Sequence, residues 1–91
     1  LLDLVTDIGA SVARAGVKRL VICNSHGGNV AVLDIAARRI RIRSNILVVN
    51  AMWARLGKPD FMSDPVENAY GIHAGHSETA VVMALRPDLV H

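Results

Sequence analysis

The sequence predicts an α/β fold built on a parallel sheet, and three observations carry that prediction. Two short apolar runs rich in β-branched residues, Leu20-Val21-Ile22-Cys23 and Ile46-Leu47-Val48-Val49, have the composition of strands buried on both faces. A segment of helical periodicity lies between them, and another precedes the first run. The order helix, strand, helix, strand is that of a right-handed parallel crossover.

Leu1, Leu4, Val5, Ile8 and Val12 recur at steps of three and four, so the first helix is expected to reach about Ala15 with this stripe against the core. Gly16 then stops it. After the first strand, Asn24 to Gly28 forms the carboxyl-end loop, and Asn29 is a preferred N-cap for the second helix. Val30, Leu33, Ala36, Ala37 and Ile40 line one face of that helix, and Ser44-Asn45 breaks it before the second strand. From about Asn50 to Ile72 the periodicity dissolves among Gly57, Pro59, Asp60, Asp64, Pro65 and Gly71. Such a stretch is expected to be either a functional lid or an irregular excursion anchored by Trp53, Leu56, Phe61, Met62 and Tyr70. A last helix spans about Ser77 to Arg86 and is stopped by Pro87. Its run Ala80-Val81-Val82-Met83-Ala84-Leu85 is apolar on all sides, which predicts deep burial.

With 91 residues the chain holds one compact unit at most. It opens at Leu1, inside an amphipathic segment and without methionine, so it is expected to be an internal part of a longer polypeptide. A hydrophobic content of 52% leaves apolar surface that further chain or further copies must cover, and the isolated piece is expected to self-associate. Basic residues concentrate in Arg38, Arg39, Arg41 and Arg43, but the aromatic content is only 3%, too low for a single-stranded nucleic-acid platform. The run complements the carboxyl-end dipole of the second helix instead. A single cysteine, Cys23, excludes an internal disulfide and fits a reducing compartment. No apolar run approaches the roughly 20 residues of a membrane span, and Asp3 and Asp7 interrupt the start where a signal peptide would be apolar. The expected setting is cytoplasmic, without nucleic acid or membrane as partner.

Two clusters exceed what folding requires: Asn24-Ser25-His26-Gly27-Gly28-Asn29 and His73-Ala74-Gly75-His76-Ser77-Glu78-Thr79. The first follows a strand, at the end of a parallel sheet where ligands collect, and its glycines let backbone N–H groups face a ligand. A phosphate turn is the competing reading, but such loops carry more glycines and a lysine. In the second cluster Glu78 lies in the first turn of a helix, where the dipole favours a carboxylate. Imidazole and carboxylate together form a donor set that zinc or manganese accepts. Taken alone, Glu78 would be a dipole partner and His73 a loop residue.

The two motifs together, Asn-x-His-Gly-Gly-Asn after a strand and His-Ala-Gly-x-x-Glu-Thr about fifty residues on, resemble the carboxyl-terminal half of the creatininase family over nearly the whole chain. The resemblance implies that residues 1–91 are the carboxyl-terminal part of a single domain, a three-layer α/β/α sandwich with a mostly parallel sheet. It also implies a homo-oligomer and a binuclear centre of zinc, manganese or iron, where metal-activated water hydrolyses a non-peptide or cyclic amide C–N bond of a small molecule. On that basis His26 is a metal ligand, Glu78 a metal ligand and catalytic carboxylate, and His73 the catalytic residue beside the metals. Asn24, Gly27, Gly28 and Asn29 would face the substrate. Creatininase itself has a glutamate ligand where this chain has Gly28, which points away from creatinine and toward another C–N bond, such as a formamide or a peptide. The family's Glu-x-His pair and further aspartate have no match here, and His76 and Asp34 are the extra candidate ligands. The rival reading is a binding or assembly module that keeps the fold without a complete metal site.

Overall fold

The computed structural model describes residues 1–57, 59, 60 and 64–91, so Phe61 and Met62 lie outside the described residues. The chain divides into two compact units, residues 1–57 and 58–91.

In the first unit, α1 (Leu2–Arg14) and α2 (Val30–Ser44) accompany two strands, β1 (Arg19–Asn24) and β2 (Leu47–Met52). The strands pair in parallel with Arg19 opposite Leu47 and Asn24 opposite Met52. The parallel sheet expected from the two apolar runs is therefore present, each strand extending past its run at the carboxyl end. Asn45 adopts a left-handed conformation at the end of α2, the αL cap that the Ser44-Asn45 break predicts. Leu33, Ala36, Ala37 and Ile40 are buried as the periodicity requires, and Ala37 and Ile40 form the core with Ile46 and Val48.

Two expectations about burial fail in this unit. The strands are covered on one face only: Leu20, Ile22 and Val48 turn inward, whereas Val21 is 63% exposed and Leu47 and Val49 are exposed beside it. Within residues 1–57 the helices form one layer against the sheet, which is consistent with an α/β fold, and a three-layer sandwich is not shown. The first helix also turns a different face inward. Thr6 and Gly9 are buried, with Val5 and Ala13 against the core, while Leu1, Leu4 and Ile8 are exposed. Gly9 decides this, because a Cβ there would lie 2.4 Å from Ile40 Cδ1, and only glycine lets the α1 backbone approach α2 so closely. Thr6 Oγ1, buried with it, donates to Leu2 O at 2.8 Å.

The second unit contains α3 (Pro65–Tyr70) and α4 (His76–Leu85), followed by a short 3₁₀ turn at Pro87–Leu89. The stretch from Asn50 to Ile72 is thus not uniformly irregular: it holds the end of β2, a 3₁₀ turn at Trp53–Arg55 and α3. Deep burial of α4 is not observed, since every residue of it is at least partly exposed and Leu85 is 74% exposed. Hydropathy predicts that these side chains favour cover, and the described part of residues 58–91 contains no second apolar layer to provide it. Among the described residues no helix is long and apolar enough to cross a membrane.

Candidate active site

The loop after β1 is built around Asn24. The residue is only 3% exposed, and its Oδ1 accepts the His26 backbone N–H at 3.1 Å, an Asx turn. The His26 carbonyl then accepts the Asn29 N–H at 3.1 Å, closing a 3₁₀ turn over Gly27–Asn29 that leads into α2. Asn29 occupies the N-cap position but has helical backbone angles and makes no side-chain capping bond, so the expected asparagine cap is replaced by this turn. A Cβ at Gly28 would stand 2.7 Å from His26 Nε2, so the imidazole lies against the bare backbone of Gly28. Trp53 Nε1 donates to Ser25 O at 3.3 Å, tying the segment after β2 to the loop after β1. Of the proposed anchors, Trp53 is thereby engaged, whereas Leu56 and Tyr70 are 80% and 83% exposed.

Behind the loop lies a polar link that the sequence reading missed. Asn50 Nδ2 donates to Asp34 Oδ1 at 2.6 Å, joining β2 to α2. Asp34 thus appears as a partner of Asn50. No local spacing announces a pair sixteen residues apart, although an asparagine in an otherwise apolar strand is a signal in itself.

In the second unit carboxylates hold both helix starts. Asp64 caps α3 by accepting from the N–H groups of Val66 at 2.7 Å and Glu67 at 3.0 Å, with Pro65 at the first helical position. Asp64-Pro65-x-Glu67 is a readable helix-start signature. Glu67 reaches the next helix, accepting from the N–H groups of His76 at 2.6 Å and Ser77 at 3.2 Å. Gly75 makes room for it, since a Cβ there would be 2.6 Å from the Glu67 carboxylate. The Ser77 and His76 N–H bonds hold the Glu67 carboxyl below its ordinary value of 4.5. His76 Nδ1 faces Asp64 Oδ2 and Glu67 Oε2, each at 3.3 Å.

Glu78 turns back over its own helix start. Its Oε2 accepts the Ala74 N–H at 2.6 Å, and its Oε1 lies 3.5 Å from His73 Nδ1. The Ala74 bond, followed by the one from His73, lowers its pKa from the ordinary 4.5. Ala74 has a positive φ of 56°, which turns the chain so that His73 and Glu78 meet.

The structure thus groups Asn24, His26, Gly27, Gly28 and Asn29 in one loop, and His73 with Glu78 in one turn. Among the described residues no three His, Cys, Asp or Glu side chains gather so as to hold a metal ion. In donor chemistry His26 and Glu78 do suit a divalent metal. Each carboxylate oxygen has a second lone pair, so capping leaves Glu78 able to accept a cation. In number they fall short of the three protein ligands usual for catalytic zinc.

The family described as creatinine amidohydrolase matches residues 1–91, the whole chain. This chain belongs to the creatininase family. It is 36% identical over 107 residues to creatinine amidohydrolase of Pseudomonas putida, a match covering 99% of this chain and 39% of that protein. It is also 35% identical over 88 residues to the mycofactocin precursor peptide peptidase of Mycobacterium ulcerans, covering 96% of this chain and 29% of that protein. The corresponding peptidase of Mycolicibacterium smegmatis is 32% identical over 85 residues, covering 93% and 29%. The chain spans between 29% and 39% of the length of these curated relatives. No solved structure matches it. The creatininase relatives include an amidohydrolase and peptide peptidases, so the family is one of hydrolases.

Proposed function

We propose that this chain supplies part of a metal-dependent hydrolytic centre that cleaves an amide C–N bond. The observation that supports this most is the placing of the two motifs. His26 stands in the loop beyond a parallel strand, and His73 is paired with Glu78 at the start of α4, in a creatininase-family chain matched along its whole length.

His26 and Glu78 are the residues that would hold the metal, with the remaining ligands supplied by the rest of the protein. Zinc, manganese or iron, two ions in the complete site, would polarise the amide and bring a water toward ionisation near neutral pH. The remaining roles belong to the chain itself. His73, whose Nδ1 faces Glu78 Oε1 at 3.5 Å, would exchange a proton with the departing nitrogen. Gly27 and Gly28 let substrate approach the backbone, with Asn24 shaping the loop and Asn29 closing it. The substrate is a small cyclic amide or a peptide amide rather than creatinine, because Gly28 has no side chain with which to bind a metal. A glutamate at that position would displace the His26 ring. The complete protein is a homo-oligomer of cytoplasmic setting on this reading.

The test uses the complete protein. His26→Ala and Glu78→Ala should each lower bound metal and abolish metal-restored amide hydrolysis, and His73→Ala should abolish hydrolysis with metal content retained. Unchanged turnover in either of the first two variants would overturn the proposal. The engagement of Glu78 Oε2 by the Ala74 N–H and of Oε1 by the His73 ring favours a second reading, a binding or assembly module without a metal centre. Sub-stoichiometric metal in the folded, complete protein, unaffected by these substitutions, would select it.

A further inference from the structure

Two side-chain atoms in the first unit are buried and have no hydrogen-bond partner among the described residues: Asn24 Nδ2 and Asn50 Oδ1. Buried polar atoms are nearly always satisfied, so each calls for a partner. The identity of both atoms is fixed by the opposite end of its amide. Asn24 must present Oδ1 to the His26 N–H, which leaves Nδ2, a donor, at the other side. Asn50 must present Nδ2 to the Asp34 carboxylate, which leaves Oδ1, an acceptor. Flipping either amide would set like against like. The two residues lie on neighbouring parallel strands, Asn50 opposite Ile22 and Asn24 opposite Met52. They therefore share the inward face as diagonal neighbours two positions apart in register. The two atoms are not hydrogen-bonded to one another, since neither has a partner among the described residues, and a donor and an acceptor on the same face suit one intervening molecule.

We infer that a single buried water bridges Asn24 Nδ2 and Asn50 Oδ1, making Asp34 and Asn50 positioning residues for the His26 loop. A water has the required complementarity, accepting from one amide and donating to the other. The result is a continuous chain of hydrogen bonds: Asp34 carboxylate, Asn50 amide, water, Asn24 amide and His26 N–H. The exposed end of the chain is a charge on α2, and the buried end fixes the turn that carries the histidine. The bridge does not depend on the hydrolase reading; only an effect on turnover would rest on it.

Two measurements on the complete protein test the inference without an assay of activity. In a high-resolution crystal structure, a water within hydrogen-bonding distance of both atoms is expected. A protein group on either atom, or no shared water, would overturn the bridge. By hydrogen exchange, Asp34→Ala should speed exchange at residues 24–29 about fivefold, the effect of roughly one lost hydrogen bond. Residues 33–40 of the core should be unchanged. Asp34→Asn, which keeps an acceptor for Asn50, should restore the slow exchange. Acceleration spread equally over loop and core, or none in the loop, would remove the positioning role. Because Asp34 is exposed, neither variant threatens folding.

Discussion

In residues 1–57 the stabilising contacts are an apolar cluster of Ala37, Ile40, Ile46 and Val48, whereas in the described part of residues 58–91 no side chain is buried and three carboxylates, Asp64, Glu67 and Glu78, hold the helix starts. The first unit depends on excluded water, which is insensitive to charge; the second depends on ionised oxygens meeting backbone N–H groups. The candidate residues divide in the same way. His26 is placed by a loop anchored to a buried asparagine, and His73 by a turn anchored to a carboxylate.

That contrast can be broken by substitution. Ile40, 1% exposed, is the largest fully buried side chain, and Ile40→Ala is expected to cost about 2–5 kcal/mol in denaturant unfolding of the first unit. A loss well below 1 kcal/mol would mean that the cluster is not what holds α2 to the sheet. Gly9→Val should cost about 1–3 kcal/mol by the same measurement, because the added carbons meet Ile40 where the helices cross. Asp64→Ala should remove about 1 kcal/mol of helix stability, read as faster exchange at residues 66–70.

Acid sharpens the comparison. The pKa values of Glu67 and Glu78 lie below 4.5 in the folded chain, so their contribution is present above 4.5 and is lost as pH falls through the lowered values. Exchange at residues 74–79 should therefore accelerate below pH 4.5 before exchange at residues 33–40 does; the reverse order would refute the carboxylate account. Asp3→Asn, which breaks the exposed ion pair to Arg39 at 3.2 Å, is expected to change stability by less than about 1 kcal/mol.

How much was legible in the sequence follows from the range of the interactions. The inward face of α2 and the parallel pairing of the strands were readable because periodicity and β-branching are local. The inward face of α1 was not, because Gly9 is selected by a residue on another helix, and the Leu1, Leu4 and Ile8 stripe was the stronger local signal. Burial of α4 was misjudged for a related reason: apolar side chains record a preference, not a neighbour. Both motifs were visible as residue types. The Asp64-Pro65-x-Glu67 helix start was equally visible but was hidden among turn residues that suggested irregular chain. The Asp34 to Asn50 bond required the fold.

The contact between Gly28 and His26 has a consequence for how relatives diverge. Any side chain introduced at 28 redirects the imidazole at 26, so the effects of changes at the two positions are not additive. A carboxylate at 28 would shift the His26 ring in the same step, so a change at this glycine alters the histidine's placement as well as the residue it introduces.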